Sequence, residues 1–174
     1  MTEADRLILA VVRTFDGALA RLANMLSRIA DWPADRRLAL LNSRLAPDMF
    51  TFADQVRIAV QFTLRTALPL AGLPVPPPPA ATADLGDLHA RIAAARAALT
   101  LPDDAFAGAA RRAIKERAGF ASIELPATDF LFRFGMVNVH FHLDMAYALL
   151  RAAGAPVGKA DIDGLHDYPP GFSF

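Results

Sequence analysis

The stretch Ile8-Leu-Ala-Val-Val12-Arg-Thr-Phe15-Asp-Gly-Ala-Leu19-Ala-Arg-Leu22-Ala-Asn-Met-Leu26-Ser-Arg-Ile29 decides the fold class. Within it Ile8, Val12, Phe15, Leu19, Leu22, Leu26 and Ile29 step alternately by four and three, which lays one apolar seam along a helix. Such a seam has to be covered by other helices. Thr2 with Asp5 has the spacing of a reciprocal cap at the start, and Trp32-Pro33 marks the end, because proline disfavours helical geometry in the residue before it.

The rest of the chain supplies the covering elements. Asp35 to Ser43 reads as a short helix after the first long one, and Ala46-Pro47-Asp48-Met49 as a connection. Thr51 can cap a second long helix running to about Pro69, with Phe52, Val56, Ala59, Thr63 and Ala67 on one side. Asp54, Arg57, Gln61 and Arg65 take the other side, and Gln55 sits at the border. Residues 73–81 contain Pro74 and the run Pro76 to Pro79, a stiff crossover without hydrogen-bond donors that can pass over one end of a bundle. Thr82 or Asp84 begins a third helix with the seam Leu85, Leu88, Ile92, Ala95 and Leu99. Residues 113–117 and 121–125 flank Ala118-Gly119-Phe120 and are expected to pair as a small β-hairpin, with Glu116 and Glu124 facing each other across it. A last helix runs from Thr128 to Ala153, stopped by Gly154 and Pro156. In the tail, residues 155–174, Gly158-Lys159-Ala160-Asp161 reads as a docking turn and the aromatic end is expected to lie on the body. Either half alone would be a two-helix hairpin with a bare apolar face, so residues 1–174 are expected to form a single all-α four-helix-bundle domain.

Composition narrows the chemistry. The 174 residues include no cysteine, which removes disulfides, thiolate nucleophiles and cysteine-bound metal centres together. Eighteen basic and eighteen acidic side chains alternate without clustering, so no footprint for nucleic acid or anionic lipid is visible. The start lacks a basic leader, and no early apolar run approaches the roughly 20 residues of a spanning helix. A cytoplasmic protein without a membrane partner is the expectation.

The chemistry that remains concentrates in Asn138-Val-His-Phe-His142. At about 100° per residue, Leu131, Phe134, Phe141, Met145, Leu149 and Ala152 fall on the same side as Asn138, and His142 falls there too. His140 gathers with Arg133, Asp144 and Arg151 on the opposite, solvated side. An amide and an imidazole one turn apart in an apolar face need partners, since an unpaired buried polar group costs about 1–3 kcal/mol. Gln55 and Thr63 on the second helix, and Asp48 just before it, are the candidates. Three readings stay open: a hydrogen-bonded pair that sets helix register, a small-molecule pocket, and a metal site with His142 as candidate ligand. The third is the least favoured, because two ligands do not make a metal site. His89 and His166 read as surface residues, and neither a nucleophile elbow nor a phosphate loop occurs.

Phe130 through Gly164, with Asn138, Phe141-His142, Ala146-Tyr147, Leu150-Arg151, Gly154 and Gly158-Lys159-x-Asp161, resembles the bacterial family domain of unknown function nineteen-ninety-three, grouped with the DinB/YfiT-like four-helix bundles. The similarity extends to Arg44-Leu-Ala-Pro-Asp48-Met-Phe50 and to Gln55-Val. The resemblance implies an up-down-down-up bundle, frequent dimerisation and, in many relatives, a divalent metal held by one histidine on the second helix and a later His-x-x-x-His pair. Matching the Leu-Arg-x-x-Gly helix end places His142 at the second histidine of that pair and Asn138 at the first, while residues 51–68 contain no histidine. The expectation is therefore a small-molecule-binding or degenerate DinB-like protein in which His142 meets the ligand, Asn138 orients it and Gln55 or Asp48 closes the site. The alternatives are a non-catalytic homodimer joined through Val139, Leu143 and Leu150, or a metal-dependent DinB-like enzyme.

Overall fold

In the computed structural model, which describes residues 1–81, 83–169 and 172, helix α1 (Glu3–Ser27) begins on the reciprocal cap the spacing predicts. Asp5 N–H donates to Thr2 Oγ1 at 3.1 Å, and Thr2 N–H donates to the Asp5 carboxylate at 2.8 Å. That carboxylate is buried and also accepts from Ala110 N–H (2.9 Å) and Gly108 N–H (3.2 Å), so the first turn of α1 anchors a loop a hundred residues away. The Ala110 and Thr2 amides hold its pKa far below the usual carboxylate range. The helix ends at Ser27, before Trp32, and residues 28–32 continue as tight turns in which Ile29 stays buried.

Helix α2 (Ala34–Leu41) is the short element expected after α1. Helix α3 (Phe52–Leu70) is capped by Thr51 Oγ1, which accepts Asp54 N–H at 3.1 Å. Phe52, Val56, Ala59, Thr63 and Ala67 are all buried on it, as the spacing predicts. Helix α4 (Leu85–Ala98) starts on Asp84, whose carboxylate accepts Asp87 N–H at 2.8 Å; Thr82, the other candidate cap, lies outside the described residues. Leu88, Ile92 and Ala95 form its buried seam.

The proline segment takes a different course from a passage over one end. Gln61 Nε2 donates to Pro76 O (3.4 Å), and Arg91 donates to the carbonyls of Pro79 (3.3 Å) and Ala80. After leaving the end of α3 the segment thus returns along the flank of α3 toward the start of α4. Proline carbonyls can accept but proline nitrogens cannot donate, so side-chain donors on the two helices are what fix it.

Strands β1 (Ala113–Ala118) and β2 (Ala121–Pro126) form the expected antiparallel hairpin, turning at Gly119. The register corrects the expected carboxylate pair: Glu124 faces Lys115 (3.7 Å), while Glu116 faces Ile123 and binds Arg65 of α3 at 3.0 Å.

The last long helical stretch contains a feature periodicity did not foresee. Helix α5 (Ala127–Asp129) passes into a π-helical segment, Phe130–Gly135, and then into α6 (Met136–Ala152). Before the junction Leu131, Phe134 and Gly135 are buried; after it Val139, His142, Leu143, Ala146, Leu149 and Leu150 are. The inward set has advanced by one residue, about 100° of rotation, because a π turn holds an additional residue. Two expectations fall with this shift. Phe141 is exposed and Met145 only half-buried, whereas Val139, Leu143 and Leu150, read from sequence as a dimer seam, belong to the core. Helix α7 (Ala160–Asp163) docks the tail on α1: Arg21 donates to Ile162 O (2.7 Å) and Arg28 lies 3.6 Å from Asp161. Lys159 Nζ meets His166 Nε2 at 3.1 Å and no aspartate. Tyr168 stacks with His166 and with Phe172, while Pro170, Gly171, Ser173 and Phe174 lie outside the described residues.

Two apolar clusters result. One gathers the C-terminal half of α1 with α2, one side of α3, α4 and the later turns of α6; the other gathers the start of α1, Phe62 and the end of α3, the π segment and the hairpin base. Among the described residues no helix is long and apolar enough to cross a membrane.

Candidate functional site

Where the two clusters meet, α3 and α6 bring one polar pair together. Gln55 lies in the first turns of α3 and His142 midway along α6; each faces the other helix, and their residual exposures are 1% and 6%. His142 Nδ1 lies 2.7 Å from Gln55 Oε1. An amide oxygen only accepts, so the proton sits on Nδ1 and the Nε2 lone pair is left free. Among the described residues Nε2 has no hydrogen-bond partner, and it is not one of the side-chain atoms sealed from solvent without one. Burial lowers the imidazole pKa to about 4, so the ring is neutral at physiological pH.

Three phenylalanines surround that ring. Phe62 of α3 stacks on it (5.6 Å between centroids, 13° between planes), Phe141 meets it edge-on at 5.1 Å, and Phe50 approaches at 6.1 Å. Phe62 is buried, while Phe50 and Phe141 are 51% and 49% exposed, so the walls open outward on their side. The sequence reading missed Phe62, although it stands seven residues after Gln55 and so shares its face. Phe50 lies in the loop before Thr51, where no periodicity assigns a direction.

The other expected site residues are elsewhere. Asn138 is half-buried and donates from Nδ2 to Phe134 O (2.7 Å) in its own helix. A junction between π and α spacing leaves a carbonyl short of a donor, and the amide supplies one. Asn138 therefore does not join His142 as an inward pair. Asp48 is exposed and makes no hydrogen bond or ion pair with any described residue, and Thr63 Oγ1 donates to Val60 O (2.7 Å) within α3. His140 is exposed, as expected, one turn from Asp144, whose carboxyl is pushed above the usual carboxylate range by burial.

The donor set does not fit the divalent metal that the DinB-like resemblance implies. Gln55 Oε1 is committed to Nδ1, Asn138 is turned by its Nδ2 bond to its own helix, and the described residues contain no group of three or more His, Asp or Glu side chains that converge on one point. One imidazole nitrogen remains, short of the three or four ligands a site requires.

The mostly helical fold is that of a DinB-like protein. A crystal structure described as a DinB family member protein from Shewanella denitrificans aligns with 95% of this chain and 96% of its own, at a TM-score of 0.78 and 27% identity. The chain belongs to the family described as domain of unknown function DUF1993, whose profile matches residues 7–163. Among curated proteins no relative matches.

Proposed function

We propose that the protein binds a small molecule at the outward edge of His142, whose Nε2 accepts a hydrogen bond from a ligand hydroxyl or N–H while the ligand's flat face lies against Phe50 and Phe141. The observation that carries the reading is the Gln55 to His142 bond of 2.7 Å, which fixes the tautomer and leaves one buried-side acceptor unused. Apolar walls with a single convergent polar atom are the usual make-up of a ligand site between helices. Gln55 is the positioning residue, Asn138 contributes by holding the helix junction, and Asp48 has no part. Phenol is the probe. Titration followed by nitrogen-15 NMR should shift His142 Nε2 saturably and leave Nδ1 nearly unmoved, and His142→Ala should abolish binding. Absence of any saturable shift at Nε2 with phenol, imidazolone or benzamide overturns the reading.

A second reading has its own observation. Val137 and Phe141, one turn apart on α6, are 57% and 49% exposed, and Phe141 and the exposed Phe50 both approach the His142 ring. A homodimer formed on this patch, in place of Val139, Leu143 and Leu150, would close the recess with a second copy. Sedimentation at the monomer mass at micromolar concentration removes it. In both readings residues 1–174 act as one four-helix-bundle domain in up-down-down-up order. The return of the proline segment along α3 supports that order, since it starts α4 beside the start of α3.

A further inference from the structure

The β-hairpin has two outer edges, and the chain treats them differently. Ala127 N–H donates to Arg112 O (3.0 Å) just beyond the paired residues, and in an antiparallel ladder bonded pairs alternate with unbonded ones. The backbone groups of Ile114, Glu116, Ile123 and Leu125 therefore point across the hairpin, while those of Lys115 and Arg117 on β1, and of Ser122 and Glu124 on β2, point outward. The β1 edge is blocked at Arg117. Its N–H donates to Glu116 Oε1 (2.7 Å) and its carbonyl accepts from Arg65 Nη2 (2.8 Å), which also puts α3 on that side. The β2 edge is bare: among the described residues nothing bonds the N–H or C=O of Ser122 or Glu124, and both residues are exposed.

A strand edge with free donors and acceptors can receive another strand. We propose that β2 is a self-association surface, on which β2 of a second copy adds antiparallel about a two-fold axis at Ile123 to make a four-stranded sheet. The residues on the edge select that register. A two-fold axis perpendicular to the sheet can sit at Ser122, Ile123 or Glu124. Centred on Ile123, Ser122 and Glu124 of one copy exchange both N–H and C=O with Glu124 and Ser122 of the other. Centred on Glu124, two carboxylates oppose each other and Ser122 meets Pro126, which has no N–H. Centred on Ser122, Glu124 meets Phe120 in the turn and loses its partner. Charge agrees with the Ile123 register, since each Glu124 then lies between its own Lys115 (3.7 Å) and a neutral serine of the second copy, with an arginine next in the row. Because the β1 edge is blocked, addition closes at two copies and does not propagate.

The chain has no cysteine, so one introduced thiol reads the register directly. Across the axis the two Ile123 residues form an unbonded pair with Cα atoms about 4.5 Å apart, within the span of a disulfide, whereas the two Ser122 residues are diagonal neighbours about 7–8 Å apart, beyond it. Under mild oxidation of concentrated protein Ile123→Cys should form a covalent dimer and Ser122→Cys should not, although Ser122 is the more exposed of the two. In the parent chain, hydrogen exchange at the Ser122 and Glu124 amides should slow by about tenfold or more between dilute and millimolar solution, which keeps the test open if an Ile123 variant is unstable. Ser122→Pro removes an outward N–H without touching the hairpin ladder, and should abolish the slowing at Glu124 and, combined with Ile123→Cys, the cross-link. Val137→Asp, which breaks a dimer on the His142 side, should change neither. The proposal is overturned if Ser122→Cys cross-links as readily as Ile123→Cys, if neither amide slows on concentration, or if Val137→Asp removes the cross-link.

Discussion

Helix α3 makes two contacts of opposite character. Toward α6 it packs closely: Gly135 of the π segment comes so near that a methyl group built on it would lie 2.3 Å from Thr66 Cγ2, Phe62 stacks on His142, and Gln55 Oε1 pairs with His142 Nδ1. Toward α4 it meets alanines and a row of prolines, a cavity of about 290 Å³ stays open, and Arg57 Nε finds no partner. The difference shows how one helix can be tightly packed on one side and loosely packed on the other. Where bulky side chains and a glycine interlock, a buried polar group is costly unless it is paired. Where small residues face a strap without donors, space and an unused hydrogen bond survive together.

Substitutions can break this contrast, beginning with the tightest point. Gly135→Ala drives a methyl into Thr66 and should destabilise the protein by about 3 kcal/mol or more in urea denaturation, with Thr66→Ala restoring most of the loss in the double variant. Lack of any loss would mean that α6 and α3 are not in close approach. Acidification tests the buried imidazole. Its folded pKa of about 4 lies below the value of about 6.5 in the unfolded chain, so the unfolded state takes up the proton first. Stability should therefore be full above about pH 6.5 and fall by up to about 3 kcal/mol as pH drops to about 4. His142→Gln should flatten that part of the profile. Gln55→Leu removes the acceptor from a buried N–H and should cost about 2 kcal/mol, read from the urea midpoint. The α4 side should tolerate more. Arg57→Met removes an unpaired donor together with a partly exposed ion pair and should change stability by less than about 1 kcal/mol, read from the same midpoint. A loss comparable to that of Gly135→Ala would show that the cavity toward α4 is packed core after all.

Much of the fold was written in periodicity and caps. The seam from Ile8 to Ile29, the Thr2 and Thr51 caps, the short helix after α1 and the hairpin at Gly119 depend on neighbours within a few residues, so local sequence is enough to place them. The site was half legible. His142 pointed inward and Gln55 was among its candidate partners, but the wheel that placed them assumed uniform spacing. One additional residue in the π segment turned everything beyond it, so Asn138 and Phe141 left the inward face and Val139 and Leu143 entered it. Nothing in Phe130 to Gly135 announces that insertion, which ends where Gly135 comes close to Thr66, a residue far away in the chain.

By itself, then, the sequence determined which segments become helices, where they start, and that an imidazole of the last helix would face inward, with Gln55, Thr63 and Asp48 as its candidate partners. Which partner, which aromatic walls, and the course of the prolines along α3 were decided by tertiary packing. Hydrogen-bond direction and helix rotation depend on what lies across the interface, and no pattern within a single helix carries that information.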